Sequence, residues 1–226
     1  MRGSDIDIAS AARRAFAVHC SALVLGAAFS GPLPARAAAA AEVRVLVVGD
    51  SLSAEYGLPR GSGWVALLQH KLAQERPGVE VINASISGDT TSGGVSRLPA
   101  LLAQHRPQIV VIELGGNDAL RGLPLAMTQA NLKDMARMAK SGGARVVIVG
   151  IAVPPNYGRK YADEFAALFA TVARAEGASL VPFLLAGVAD VPDAQEQFQA
   201  DGIHPKAQAH PRMLANVWAG LKPLLK

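Results

Sequence analysis

The chain has 226 residues, of which 50% are hydrophobic and 18% charged, and its formal net charge is +4. This length and apolar content are enough for one sizeable core, so we expect a single globular domain. Residues 1–37 hold four arginines and two aspartates, so residues 38–226 keep 18 basic and 16 acidic residues, a formal charge of +2. Residues 38–226 contain no run of lysine or arginine, which argues against a nucleic-acid-binding protein.

Residues 1–37 have the layout of a secretory signal peptide. Arg13 and Arg14 precede a stretch over 15–33 that lacks Asp, Glu, Lys and Arg, and alanines follow at 35 and 37–40. A basic start, an apolar middle and a small-residue cleavage site are the three parts of such a peptide. The stretch is short and interrupted for a membrane span of about 20 residues, so cleavage is favoured over a retained anchor.

Cleavage near Ala37 or Ala40 has consequences for the mature protein, which we expect to be residues 38–226. The one cysteine, Cys20, leaves with the peptide, so the mature chain should have no disulfide, metal thiolate or cysteine nucleophile. We therefore expect a periplasmic or secreted protein with no stable membrane anchor.

Strand-like and helix-like segments alternate along the mature chain. Five apolar runs rich in β-branched residues have strand length: Val43–Val48, Val79–Asn83, Ile109–Glu113, Arg145–Ile151 and Ser179–Phe183. Their nearly continuous hydrophobicity is typical of parallel strands covered on both faces. Helical spacing occurs between and after them, at Trp64–Arg76, Val95–His105, Thr128–Ser141, Tyr161–Glu176 and Gln208–Leu221. This alternation predicts an α/β fold, a three-layer α/β/α sandwich of flavodoxin type with a five-stranded parallel sheet.

A serine follows the first predicted strand directly, within Gly49-Asp50-Ser51-Leu52-Ser53. In an open α/β sheet the ligand site lies at the carboxyl edge of the strands, where Ser51 would sit. Near the other end of the chain, Asp201 and His204 stand three residues apart. This spacing lets His204 take the proton of Ser51 while Asp201 orients the imidazole, as nucleophilic catalysis by serine requires.

Two further loops offer hydrogen-bond donors for a negatively charged oxygen. Gly88 follows the second predicted strand and Asn117 the third. The Gly88 N–H, the Asn117 amide and the Ser51 N–H are our candidates for an oxyanion hole.

Each of these residues also has a purely structural interpretation. Gly88 could form a turn, Asn117 could cap a helix, Asp201 and Gly202 could make a β-turn, and His204 could lie on a surface loop. Taken singly, those interpretations are about as good as the catalytic one. Their occurrence at successive edge loops, in the order that a catalytic site needs, favours the site.

The same blocks resemble the four motifs of the SGNH, or GDSL-type, hydrolases, which are named for a serine, a glycine, an asparagine and a histidine. The resemblance extends over nearly all of the mature chain. It is strongest to the subgroup of thioesterase I, arylesterase and lysophospholipase, on the segments 49–53, 83–90, 97–102, 113–118, 155–159 and 201–205.

This resemblance implies a monomeric hydrolase of acyl esters and thioesters that needs no metal or other cofactor. By analogy, Ser51 is the nucleophile, Asp201 and His204 complete the triad, and Ser51, Gly88 and Asn117 form the oxyanion hole. The expected partner is a small-molecule acyl ester or thioester. The segment 153–161 matches a mobile loop beside the acyl pocket of the subgroup, although it could equally be a plain strand-to-helix connection.

Two other functions remain open. A carbohydrate O-acetyl esterase would keep the triad, but carbohydrate sites usually present aromatic platforms. The two tryptophans, Trp64 and Trp218, lie in helical segments where core packing is the more common role. A non-catalytic flavodoxin-like binding protein would need a glycine-rich phosphate loop with lysine, which does not follow the first strand, and it would leave Asp201 and His204 unexplained.

Overall fold

The structure, a computed structural model, describes residues 43–153 and 155–226. The predicted signal peptide, 1–37, lies outside the described residues. Five parallel strands form one sheet in the order β2-β1-β3-β4-β5: β1 Val43–Gly49, β2 Val79–Asn83, β3 Ile109–Glu113, β4 Arg145–Val149 and β5 Ser179–Val181. This is the order of the flavodoxin type, so the predicted fold class is confirmed.

Seven α-helices connect or follow the strands in the described residues: α1 Trp64–Glu75, α2 Thr91–His105, α3 Gly116–Leu120, α4 Leu125–Ser141, α5 Arg159–Glu176, α6 Ala194–Gln197 and α7 His210–Leu221. Helices α1 and α7 pack together on one face of the sheet, and α2, α4 and α5 pack on the other. No helix among the described residues is long and apolar enough to cross a membrane.

Successive side chains of the central strands enter two separate hydrophobic cores. Val45 and Val47 face the core below α1 and α7, while Leu46 and Val48 face the core below α2, α4 and α5. All four side chains are fully buried. Because both faces of the sheet are covered, the strands carry the continuous hydrophobicity from which a parallel sheet was predicted.

Two strands end earlier than predicted. The prediction extended β5 to Phe183, but Pro182 has no N–H to donate to the neighbouring strand, and β5 ends at Val181. The prediction extended β4 to Ile151, but β4 ends at Val149. At Gly150 a Cβ atom would lie 2.2 Å from the carbonyl oxygen of Pro182, so only glycine fits where the chain leaves the sheet.

Several helices begin at other residues than predicted. Helix α2 begins four residues before the predicted Val95, because Thr90 caps it by accepting a hydrogen bond from the N–H of Gly93 at 3.3 Å. Helices α4 and α5 also begin early, whereas α7 begins two residues late, after a 3₁₀ turn over Ala207–Ala209. The short helices α3 and α6 were not predicted, since four or five residues carry no periodicity.

Candidate active site

Ser51 lies on a tight turn at the carboxyl end of β1. The Asp50 carbonyl accepts hydrogen bonds from the N–H groups of Ser53 at 3.2 Å and Ala54 at 3.0 Å, which fold the chain back immediately after the strand. The Ser51 Oγ atom lies 2.8 Å from Nε2 of His204. The predicted nucleophile and the predicted base are thus in hydrogen-bond contact, although 153 residues separate them.

His204 is held by Asp201 of the same loop. Oδ2 of Asp201 lies 2.6 Å from Nδ1 of His204, and Oδ1 accepts the N–H groups of Ile203 at 2.9 Å and His204 at 3.0 Å. Partial burial alone would raise the pKa of Asp201, but these hydrogen bonds and the nearby imidazole outweigh it and lower the pKa to about 2. An ionised Asp201 can hold the imidazole in the tautomer that leaves Nε2 free to accept a proton.

The donors expected for an oxyanion hole come from two loops and the first turn of α3, at the same edge of the sheet. The loop that carries Gly88 is bound to the end of β1, since the Ile86 N–H donates to the carbonyl of Gly49 at 3.0 Å. Within the described residues the N–H groups of Ser51 and Gly88 donate to no protein acceptor. Gly88 has φ +79°, a backbone conformation that glycine adopts without strain. The free N–H groups can therefore serve an oxygen of a bound molecule.

Asn117 lies in α3, directly after β3. Its side-chain Nδ2 donates to Oδ2 of Asp50 at 3.0 Å, so the amide is tied to the residue beside Ser51. β1 and β3 are neighbours in the sheet, and the chain continues from β1 to β2 on one side and from β3 to β4 on the other. Ser51 and Asn117 therefore flank the topological switch point of the sheet. Ligands of open α/β sheets bind at this point.

A partly buried arginine, Arg97, connects the loops that follow β1 and β2. The guanidinium of Arg97 donates to the Asp89 carboxylate at 2.7 Å, to the Gly49 carbonyl at 3.3 Å and to the carbonyl of Ala84. Asp89 is next to Gly88, Gly49 ends β1 two residues before Ser51, and Ala84 follows the end of β2. Arg97 thereby holds the Gly88 loop against the Ser51 turn.

Asp118 anchors α3, the helix that carries Asn117. Its carboxylate accepts the N–H of Thr91 at 2.8 Å, the hydroxyl of Thr91, and the hydroxyl of Thr128 at 3.3 Å. All three residues are fully buried. Asp118 therefore joins α3 to the first turns of α2 and α4.

The Glu55 side chain accepts hydrogen bonds from the backbone of its own loop. Its carboxylate accepts the N–H groups of Gly61 at 3.0 Å and Gly63 at 2.8 Å, and its own φ is +58°. These bonds close the segment between the Ser51 turn and α1.

Large hydrophobic side chains are exposed beside the candidate site residues. In the described part of the chain they are Tyr56, Ile86, Leu120 and Ile203, each at least 40% exposed. The Tyr56 ring contacts the His204 ring, and the other three lie within three residues of Gly88, Asn117 or His204 in the chain. Exposed apolar side chains on the loops of a candidate site are suited to substrates with apolar groups.

Sequence reasoning missed Tyr56, Arg97 and Glu113 as parts of the site. Tyr56 was hidden because its contact with His204 joins segments almost 150 residues apart. Glu113 was given no role beyond the end of a strand and the first position of the segment 113–118, although a carboxylate at the end of an otherwise apolar run was the signal that could have singled it out.

Comparison with known proteins decides the family. Residues 47–212 match the model of the GDSL-like Lipase/Acylhydrolase family, which is more than half of the chain. The chain belongs to this family. It is a hydrolase of the SGNH type that acts on esters.

Similar proteins agree with this membership. Esterase TesA of Pseudomonas aeruginosa is 55% identical over 186 residues, which cover 82% of this chain and 91% of that protein. Thioesterase 1/protease 1/lysophospholipase L1 of Escherichia coli K12 is 40% identical over 187 residues, 83% of this chain and 87% of that protein. The crystal structure of TesA superposes with a TM-score of 0.76 at 55% identity and covers 80% of this chain and 99% of its own.

Proposed function

We propose that this protein is an exported serine esterase that hydrolyses acyl esters and thioesters through an acyl-enzyme. The observation that carries the proposal is the continuous hydrogen-bonded chain from Ser51 through His204 to Asp201. A serine, a histidine and a carboxylate in this geometry are the parts of a nucleophilic acyl-transfer site.

In the acylation step the Ser51 oxygen attacks the carbonyl carbon of the substrate, and Nε2 of His204 takes the serine proton. The carbonyl oxygen becomes an oxyanion, and the N–H groups of Ser51 and Gly88 with the Asn117 amide donate to it. When the tetrahedral intermediate collapses, the C–O or C–S bond breaks. His204 then gives its proton to the leaving alkoxide or thiolate.

In the deacylation step a water molecule attacks the ester carbon of acyl-Ser51. His204 takes a proton from the water and returns it to the Ser51 oxygen as the carboxylic acid product departs. Asp201 stays ionised throughout and stabilises the imidazolium in both steps, in agreement with its lowered pKa.

The exposed apolar residues support acyl or aryl esters as the substrate class. Tyr56, Ile86, Leu120 and Ile203 are exposed apolar residues on the loops that carry the candidate site residues, and they suit the hydrocarbon part of such a substrate. The names of the similar proteins, an esterase and a thioesterase with lysophospholipase activity, support the same class.

Initial rates of p-nitrophenyl butyrate hydrolysis with EDTA present test the proposal. We expect activity in the wild type and a fall of about 10⁴-fold or more in Ser51→Ala, because removal of a triad serine leaves only binding and the oxyanion hole. Equal activity in both proteins, or none in the wild type, would remove Ser51 from the mechanism. Butyryl-CoA as a second substrate tests the thioester part.

Export and a monomeric state belong to the same proposal. The layout of residues 1–37 supports cleavage near Ala37 or Ala40 and delivery to the periplasm or the medium. Amino-terminal sequencing of the exported protein is expected to begin between residues 38 and 41, and light scattering is expected to give the mass of one chain. An intact amino terminus on exported protein would contradict cleavage.

A further inference from the structure

Two carboxyl groups are buried side by side behind the nucleophile, and the acyl-transfer steps use neither. Asp50 is 2% exposed and Glu113 is fully buried. Asp50 follows β1, and Glu113 is the last residue of the neighbouring strand β3. The Asp50 N–H points at Oε2 of Glu113 at 3.4 Å. Burying two carboxyl groups is costly unless each has partners or is neutral.

Asp50 has hydrogen-bond partners on both of its oxygens. Oδ1 accepts the N–H of Leu52 at 3.0 Å, within the Ser51 turn, and Oδ2 accepts the side-chain amide of Asn117 at 3.0 Å. The Asp50 carboxylate thus connects the nucleophile turn with one candidate oxyanion donor. An ionised carboxylate only accepts, so the Asn117 amide must turn its nitrogen, not its oxygen, towards Asp50.

Glu113 has partners on one oxygen only. Its Oε2 accepts the hydroxyl of Ser53 at 2.6 Å, and that hydroxyl accepts the indole N–H of Trp64 at 3.2 Å. Its Oε1 is buried with no partner among the described residues. Burial first, and then the charge of Asp50, raise the pKa of Glu113 well above its usual range.

We propose that Asp50 is a positioning residue for the oxyanion hole: its carboxylate holds the Asn117 amide with the nitrogen available to the substrate oxygen, and Glu113 accepts the Asp50 N–H and so holds the Asp50 backbone. This role rests on the proposed function, because it concerns the oxyanion of the acyl-transfer steps. Asn117 touches the substrate, and Asp50 acts through Asn117.

If the Asp50 carboxylate holds Asn117, protonation of Asp50 lowers the activity. Burial raises the pKa of Asp50 to about 6, against the opposing hydrogen bonds of Leu52 and Asn117 and the charge of His204, with Asp89 adding to the rise. Four titratable or charged residues lie around Asp50: His204, Asp89, Glu113 and Arg97. The guanidinium of Arg97 lies 3.3 Å from the Gly49 carbonyl. Once Asp50 takes up a proton, it can also donate, and the Asn117 amide is free to turn.

A double-mutant cycle tests whether Asp50 acts through Asn117. The variants are Asp50→Ala, Asn117→Ala and the double variant, with kcat expressed per active site titrated by a fluorophosphonate. We expect each single variant to lose about 10²-fold in kcat and the double variant to lose no more than about threefold further. Losses that multiply would overturn the proposal. Asp134→Ala, an exposed aspartate on α4, is the matched control and is expected to keep wild-type kcat.

The pH profile of Asp50→Asn gives a second measurement that does not depend on the alanine variant folding. The asparagine keeps a carbonyl acceptor for Asn117 but cannot titrate. We expect log kcat/KM to fall more steeply on the acid side in the wild type than in Asp50→Asn, because only the wild type loses the Asp50 carboxylate there. The same slope in both would overturn the proposal. An inactive wild type would overturn the proposed function together with this role. An active wild type in which the kcat losses of Asp50→Ala and Asn117→Ala multiply would overturn this role alone.

Discussion

The ring of Tyr56 lies on the ring of His204, with centroids 4.3 Å apart and planes tilted by 35°. Half of the Tyr56 side chain is exposed, so it covers the imidazole on the side of the solvent. Its backbone carbonyl accepts the side-chain amide of Gln199 at 2.9 Å, which ties the Ser51 turn to the loop of His204.

Removing the Tyr56 ring is expected to weaken the placement of His204. An aromatic pair contributes about 0.5–1.5 kcal/mol, so Tyr56→Ala should lower kcat/KM for p-nitrophenyl butyrate by about 2- to 12-fold. Tyr56→Phe keeps the ring and should stay near the wild-type value. Equal losses in both variants would show that the hydroxyl, not the ring, matters.

Gly88 should not tolerate a side chain. At φ +79° an alanine is strained by about 1–2 kcal/mol, and relief of that strain would turn the Gly88 N–H away from the site. We expect Gly88→Ala to lower kcat by about 10-fold or more. Gly122→Ala is the matched control, because Gly122 has φ +66° and open space around the added Cβ. It should lose stability to a similar extent and keep its kcat, and a similar loss of kcat in both variants would contradict the role of Gly88.

Asp118→Asn should affect both stability and activity. The amide replaces an acceptor that serves three hydrogen bonds from buried threonines, so we expect a loss of about 1–3 kcal/mol in the free energy of unfolding. The loosened α3 should also lower kcat. Thr128→Val removes only the 3.3 Å bond and should cost less in urea denaturation. A larger loss for Thr128→Val would contradict the anchoring by Asp118.

His210 should make the fold sensitive to acid. It is 2% exposed, and its Nδ1 accepts the N–H of Trp64 at 3.0 Å. Burial lowers the pKa of His210 below 6.5, outweighing the opposing effects of the Pro205 carbonyl and the Glu55 charge. The unfolded chain therefore binds more protons as the pH falls below 6.5, so this contribution to stability is present above that pH and is lost below it.

Urea denaturation at pH 8 and at pH 5 measures this contribution. His210→Asn keeps an acceptor near the position of Nδ1 and does not titrate. We expect its free energy of unfolding to change less between the two pH values than that of the wild type. An equal change in both proteins would show that His210 is not responsible.

The sequence was enough to predict the sheet because its strands are buried on both faces. The ends of β2 and β3 agree with the prediction, since polar or proline-containing segments border these apolar runs. The start of α2 was missed because Gly93 and Gly94, poor helix formers, occupy its first turn, and tertiary packing with the cap at Thr90 overrides their low propensity.

The candidate site could be predicted only in part, because the sequence indicates which loops meet but not which side chains make contact. Ser51 and Asn117 were predicted because strand ends of a parallel sheet meet at one edge, which follows from the topology alone. His204 was predicted from its spacing to Asp201 in the loop before the last helix. The contacts of Tyr56 with His204 and of Asp50 with Asn117 depend on side-chain positions that no spacing in the chain encodes.

That Ser51 is the nucleophile is tested most directly by locating the residue that reacts with a fluorophosphonate. The protein is inactivated, digested and analysed by mass spectrometry. An activated serine attacks phosphorus and releases fluoride, so the adduct stays on the nucleophile. We expect one adduct per chain, on Ser51, formed in step with the loss of esterase activity and absent from His204→Ala. An adduct on another residue, or full activity in protein labelled at Ser51, would contradict it.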